Sequence, residues 1–254
     1  MTLTLAALCG FAFLAGFLDA IVGGGGLIQV PALFVLMPQA APAMLLGTNK
    51  FASIWGTGIA TVQYARRVSM PWHALLPACA TAFTFSFLGA HTVSILRPKT
   101  LRPLILALMV IVLAYTLWKK DLGALHAPKL TRQHEIATGI AIGAALGFYD
   151  GFFGPGTGSF LIFAFVGLFG FSFLAASASA KAVNVTTNLA AVIYFVSSSN
   201  VLYKIALPMA ACNIAGSLLG TRLALRKGSG FVRGLFIVVV CALIARFAWD
   251  AFTR

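Results

Sequence analysis

The sequence GFLD at residues 16–19 returns as GFYD at residues 147–150, and the positions that follow repeat with it. The offset is 131 residues, and it runs on without a gap to pair Lys50 with Lys181. Aspartate and lysine are rare in the apolar parts of this chain, so their coincidence at one offset is not explained by composition. The chain is therefore interpreted as two tandem copies of one unit.

Composition places both copies in a lipid bilayer. The 254 residues are 60% hydrophobic and 9% charged, whereas a soluble domain carries roughly a quarter charged residues. The net charge of +13 does not indicate nucleic-acid binding, because most lysines and arginines lie at the ends of hydrophobic runs, as in loops that flank membrane spans. The four cysteines stand singly, without metal-ligand spacing, so neither a metal nor another cofactor is expected.

The hydrophobic runs predict an all-α integral membrane protein with about five segments in each copy. Residues 1–118 form the first membrane repeat, residues 119–134 a polar linker, and residues 135–254 the second repeat. The predicted segments cover residues 3–22, 27–37, 44–64, 72–95 and 101–118, and then 135–153, 158–171, 174–196, 203–225 and 231–251.

The charges at the segment ends favour copies of inverted orientation. If all five segments cross, ten of sixteen flanking basic residues fall on one side of the membrane, and if the short segments do not cross, the split is nine to seven. The larger bias agrees better with the tendency of basic residues to stay in the cytoplasm, and it places both termini outside the cytoplasm.

A glycine run precedes the short second segment of each copy. The first contains Gly23, Gly24 and Gly25, and the second contains Gly154, Gly156 and Thr157. An eleven-residue helix rises only ~16 Å, about half of the hydrocarbon core, so each short helix is predicted to be broken or re-entrant. Glycine amides and the positive end of the following helix can cradle an anion, although the same glycines would also suit a tight turn or close helix packing.

Two lysines, Lys50 and Lys181, lie inside hydrophobic segments at equivalent positions. A buried ammonium should face a cavity or a partner, and the alternative is a lysine that reaches back to the membrane surface. Each lysine shares a helical face with polar residues three and seven positions later. The candidate substrate-binding residues of these two helices are Asn49, Lys50, Ser53, Lys181, Asn184 and Asn188.

Asp19 and Asp150 are the acids embedded in apolar sequence, each four residues before its glycine run. Their carboxylates are expected to accept hydrogen bonds from the loop amides, to pair with a lysine of either copy, or to carry a proton in a coupled transporter. Tyr149, beside Asp150, either donates a hydrogen bond in the cavity or packs at the helix end.

Three motifs together resemble the TauE/SafE sulfite exporter family. They are GTNK at residues 47–50, YDGFFGPGTG at residues 149–158 and KAVN at residues 181–184. The resemblance covers essentially the whole chain. It implies a duplicated bacterial inner-membrane protein that moves sulfite or organosulfonate anions, and it assigns no role to individual residues.

These features predict a secondary transporter of a small anion, which binds between the two repeats and is released by their alternating movement. The expected partners are the anion, the lipid bilayer and, as one assembly, a second copy in a homodimer; no nucleic acid is expected. A passive anion channel is the alternative, because the same cradles would line a pore. An enzyme is not expected, since the embedded acids and histidines do not form a catalytic cluster, and a scaffold would show no flux.

Overall fold

The computed structural model describes residues 2–96 and 130–253, and these ranges contain eight helices and no strand. Four helices precede the gap: α1 (Thr2–Val22), α2 (Gly26–Leu36), α3 (Pro42–Ala65) and α4 (Trp72–Ile95). Four follow it: α5 (Arg132–Phe152), α6 (Thr157–Gly167), α7 (Phe173–Ser197) and α8 (Tyr203–Thr253). The predicted segment 101–118 and most of the linker lie outside the described residues. The all-helical prediction is confirmed for the described part.

The helix boundaries follow from glycine and proline positions. Gly23 (φ +77°) ends α1, and Gly156 (φ +85°) caps the start of α6 in the left-handed region that glycine adopts at little cost. Pro42 stands in the first turn of α3, where its missing N–H costs nothing. The last two predicted segments form one long helix interrupted at Gly228, which has φ +73°. The breaks between α1 and α2 and between α5 and α6 thus fall at the glycine runs.

The packing of the helices is reciprocal between the two halves of the chain. Helix α1 packs along α8, and α5 packs along α4. Gly16 of α1 lies against the backbone of Asn213, and its equivalent Gly147 lies against Ala82, which is the equivalent of Asn213. In both contacts the absence of a Cβ atom lets two helices approach closely, as in other membrane bundles.

Hydrogen bonds to the central helices α3 and α7 are reciprocal too. The Ser86 hydroxyl of α4 donates to the backbone oxygen of Thr187 at 2.8 Å, and the Ser217 hydroxyl of α8 donates to that of Gly56 at 2.6 Å. Both members of one bond lie 131 residues from those of the other. Helices α3 and α7 also pack against each other, so they form the centre of the molecule.

The outer surface carries large apolar side chains, whereas several polar ones are buried. Leu3, Val35 and Ile95 are exposed by 84%, 75% and 68%, which is unfavourable in water and normal against lipid. Within the described ranges, length and composition alone qualify two helices as membrane spans, Leu3–Val22 and Trp72–Ile95. Helices α3 and α7 have buried lysines and amides near their centres, which lowers their mean hydropathy.

Candidate functional site

Two ion pairs cross between the halves of the chain at the centre of the bundle. Lys50 Nζ lies 2.6 Å from Asp150 Oδ2, and Lys181 Nζ donates to Asp19 Oδ2 at 2.8 Å. Each lysine therefore binds the aspartate of the other copy, which was one of the predicted alternatives. The Lys50–Asp150 contact lacks the alignment of a good hydrogen bond, so charge attraction dominates it.

Burial excludes the alternative that these lysines reach the membrane surface. The side chains of Lys50 and Lys181 are 4% and 0% exposed, and that of Asp150 is 2% exposed. Asp19 differs from its equivalent because 17% of its side chain remains exposed. An unpaired charge at such a depth is costly, and the crossed pairing reduces the net charge of the four groups to zero.

An amide chain extends from Lys50 into the second copy. Lys50 Nζ donates to Asn188 Oδ1 at 3.0 Å, and Asn188 Nδ2 donates to Asn184 Oδ1 at 3.3 Å. Because an ammonium can only donate, it fixes the orientation of Asn188 and through it that of Asn184. The Nδ2 group of Asn184 is left as a donor without an acceptor among the described residues.

At the other ion pair, a hydroxyl takes the place of this amide. The Thr57 hydroxyl, at the position equivalent to Asn188, donates to Asp19 Oδ2 at 3.3 Å. Thr61 donates to the backbone oxygens of Thr57 and Lys181 at 2.8 and 3.1 Å. The two ends of the site thus share their charges and differ in their neutral polar groups.

The two glycine loops meet beside the ion pairs. Ser159 N donates to Gly23 O at 2.9 Å, and the backbones of Gly23 and Gly158 are so close that a Cβ on either would collide with the other. Within the described part of the chain, the N–H groups of Gly24, Gly25 and Gly156 have no hydrogen-bond acceptor. These free donors are the kind of group that an anion cradle requires.

The ion pairs and glycine loops border a common cavity of about 30 Å³, which has room for about two water molecules. Its walls come from all the described helices except α4 and from the two loops. They are Ala15, Asp19, Gly23, Gly25, Gly26, Asn49, Lys50, Ser53, Thr57, Asp150, Gly154, Gly156, Gly158, Asn184, Asn188 and Asn213. A bound anion larger than water would need these walls to move apart.

Four predicted site residues do not line the cavity. Lys181 is 0% exposed and adjoins the cavity only through its ion pair with Asp19. Gly24 belongs to the first loop but does not line the cavity. The Thr157 hydroxyl donates to Gly154 O at 2.8 Å, and Tyr149 Oη donates to Pro155 O at 2.7 Å, so both hold the second loop in shape. The carboxylates of Asp19 and Asp150 face lysines and not the loop amides. The side chains that fix this loop are therefore a threonine and a tyrosine.

The structure adds Asn213 to the residues that sequence reasoning identified. Its Nδ2 group donates to Ala12 O and to Gln29 Oε1, both at 3.2 Å, and the residue is 3% exposed. The Nε2 group of Gln29 and the Oδ1 atom of Asn49 are buried without a partner among the described residues. The position equivalent to Asn213 in the first half is Ala82, so the repeat that drew attention to the two lysines did not mark it.

Comparison with known proteins gives a consistent picture. The family model of the sulfite exporter TauE/SafE matches residues 8–247. A probable membrane transporter protein, ORF9 from Sinorhizobium sp., is 35% identical over 239 residues, which are 94% of this chain and 90% of that protein. Probable membrane transporter proteins from Haemophilus influenzae (34% over 238 residues; 94% and 92%) and Escherichia coli K12 (YfcA, 33% over 240 residues; 94% and 88%) are similar. No solved structure is significantly similar.

Proposed function

This chain belongs to the TauE/SafE sulfite exporter family, and on that premise we propose that it exports a small anion across the bacterial inner membrane. The anion is sulfite or an organosulfonate. The similar proteins are named as membrane transporters. The anion and the direction of transport are proposed from the family, and the mechanism is proposed from the site. A homodimeric assembly also stays a prediction.

The observation that supports an anion site most strongly is a buried ammonium group on a cavity between the two halves of the chain. Lys50 lines this cavity, Lys181 adjoins it through its ion pair with Asp19, and the free N–H groups of Gly25 and Gly156 belong to lining residues. The available groups are mainly donors, which suits an oxyanion with several acceptor oxygens. The Nδ2 group of Asn184 adds one more donor.

The reciprocal contacts support alternating access between two copies that a two-fold axis relates, and the charge bias at the segment ends favours the inverted arrangement. In a two-fold arrangement, a contact between position i of the first copy and position j of the second is matched by a contact between position j of the first and position i of the second. The crossed ion pairs, the two serine bonds and the two glycine contacts all have this form. In inverted-repeat transporters the substrate lies at this axis, beside discontinuous helices. The small cavity agrees with a site that opens to admit its ligand.

Reconstituted vesicles test this proposal. The purified protein should move sulfite and methanesulfonate along an imposed gradient, with a rate that saturates as anion concentration rises. Replacing the four charges together, Lys50→Met, Asp150→Asn, Lys181→Met and Asp19→Asn, should reduce flux to that of protein-free vesicles. These changes keep the net charge at zero, so the buried region is not left with an unpaired ion.

A matched control removes an ion pair outside the site. His73 Nε2 lies 2.6 Å from Glu135 Oε2, between the first turns of α4 and α5. His73→Gln with Glu135→Gln should retain saturable flux. Full flux in the four-residue variant would refute the site. Flux of the wild type that never saturates would favour a passive channel.

A further inference from the structure

We infer that Asp19 is a proton-binding site and that the protein takes up one proton with each monovalent anion. This inference rests on the proposed function and names its coupling ion. It follows from the charge balance of the crossed ion pairs and from the different surroundings of the two aspartates.

The charge balance requires a change at the site before an anion can bind. Two ammonium groups are each neutralised by a carboxylate at 2.6 and 2.8 Å, so the cavity offers an anion no net positive charge. An anion that entered would add a buried negative charge to a neutral cluster, which is unfavourable at this depth. Protonation of one carboxylate releases one ammonium, and the cluster with its anion is neutral again.

Exposure distinguishes Asp19 from Asp150 as the proton acceptor. Both aspartates line the cavity, but the side chain of Asp19 is 17% exposed and that of Asp150 only 2%. The Oδ2 atom of Asp19 receives both of its hydrogen bonds, from Lys181 and Thr57. Its Oδ1 atom has no donor among the described residues. A proton arriving through the cavity therefore finds an unoccupied oxygen on Asp19.

The neutral polar residue beside each ion pair also favours Asp19 as the proton acceptor. A protonated carboxyl group needs an acceptor for its O–H. Thr57, next to Asp19, carries a hydroxyl that can change from donor to acceptor by rotation. At the equivalent position, the Oδ1 atom of Asn188 already accepts from Lys50. Thr57 can thus accept a hydrogen bond from a protonated Asp19. Asn188 already accepts one from the Lys50 ammonium group beside Asp150.

Few other charges face Asp19 from the helices around α1. Helices α2 and α6 contain no charged residue. Lys181 on α7 bonds to Asp19, Lys50 on α3 bonds to Asp150, and Tyr64 on α3 donates to Ala20 O at 2.9 Å. Cys212 on α8 is half-buried, and the charged residues of α8 through Lys227 are exposed. Among the charged groups described around α1, Lys181 is therefore the one whose electrostatic interactions change most when Asp19 is protonated.

The proposed cycle balances in charge and atoms. A proton from solution binds Asp19 Oδ1, the carboxylate becomes a neutral carboxyl group, and Lys181 remains an ammonium ion. The anion then binds in the cavity beside the neutral Asp19, where the released charge of Lys181 attracts it, and the free amides of Gly25 and Gly156 donate to it. Departure of the anion restores the affinity of Asp19 for Lys181, and the proton leaves on the same side. Anion and proton thus cross together without net charge, and export proceeds when the outward anion gradient exceeds the inward proton gradient.

Proton uptake on binding provides the test. Purified protein in weakly buffered detergent solution is titrated with methanesulfonate, which stays ionised near neutral pH, and a pH indicator counts the protons. We expect about one proton per bound anion for the wild type. Asp19→Asn should bind methanesulfonate and take up none, since Lys181 is already released. Lys50→Met with Asp150→Asn, the matched variant, removes the other ion pair without changing the net charge of the cluster, so it should still take up about one proton per bound anion.

Each other outcome contradicts the inference. It fails if the wild type takes up no proton, if Asp19→Asn still takes one up or does not bind, or if the variant with Lys50→Met and Asp150→Asn binds the anion without taking up a proton. Should a variant not fold, infrared difference spectra of the wild type decide, because sulfite binding must produce the band of a protonated carboxyl group. A wild type that neither binds nor moves either anion would instead refute the proposed function.

Discussion

At the scale of single residues, the crossed pairing explains why lysine and aspartate occur twice in an apolar chain. Lys50 without Asp150 would be a buried cation, and Asp150 without Lys50 a buried anion. Neither is tolerated well at membrane depth. The four charges therefore depend on one another in pairs that join the two halves.

This dependence predicts which second substitution rescues a first. Lys50→Met leaves Asp150 unpaired, and removing one partner of a buried ion pair typically costs about 3–5 kcal/mol. Adding Asp150→Asn should recover most of the loss, because no buried ion remains at that end. Thermal unfolding of the detergent-solubilised variants measures both effects.

The control for this rescue uses the other aspartate. Asp19→Asn, added to Lys50→Met, should lower the unfolding temperature further, since Asp19 pairs with Lys181. Rescue by Asp19→Asn, and none by Asp150→Asn, would mean that each lysine pairs within its own copy.

At the scale of elements, the contact between the two glycine loops fixes the shape of the site. Gly23 has φ +77° and touches the backbone of Gly158. Both the left-handed conformation and the short distance exclude a side chain. The loops hold each other in place, and with them the free amides beside the lysines.

Gly23→Ala should therefore destabilise the protein and reduce anion flux. The left-handed backbone alone costs of order 1–3 kcal/mol for an alanine, and the collision with Gly158 adds to it. Unfolding temperature and flux in vesicles measure the result. Gly10→Ala serves as the control, because nothing lies within 4 Å of a Cβ at that position, and alanine favours a helix over glycine. Equal stability of the two variants would contradict the packed-loop interpretation.

Several residues of the site could be predicted from the sequence, because a charged or polar residue within an apolar segment needs a polar partner or a cavity. Lys50, Asn184 and Asn188 line the cavity, Lys181 does not, and substrate binding by these residues stays a prediction. The partner of each lysine could not be read from sequence, since spacing leaves Asp19 and Asp150 equally available. The position of Thr157 also depended on the left-handed Gly156 before it, which turns its hydroxyl back to Gly154.

At the scale of the whole molecule, the orientation of the copies is still a prediction. The reciprocal contacts require a two-fold relation, but an axis in the membrane plane inverts the copies and an axis along the membrane normal does not. Residues 67 and 198 are equivalent, and both are exposed at the ends of helices, after α3 and α7. They therefore report the orientation directly.

Single cysteines at these positions should be labelled from opposite sides of the membrane. In a background whose four native cysteines are replaced by alanine, Arg67→Cys should react with an impermeant maleimide from the cytoplasmic side, and Ser198→Cys from the other side. The charge bias at the segment ends predicts this assignment. Detergent-solubilised protein, in which both cysteines should react, is the control. Labelling of both from one side would establish parallel copies.

The crossed ion pairs also bear on the order in which the protein is made. Asp19 precedes Lys181 by 162 residues, so α1 leaves the ribosome and enters the bilayer long before its counter-charge has been translated. Lys50 is likewise translated before Asp150, which follows it by 100 residues. During insertion the first half of the chain therefore contains two unpaired charges, Asp19 and Lys50. Both are neutralised only when the second half has been inserted beside it.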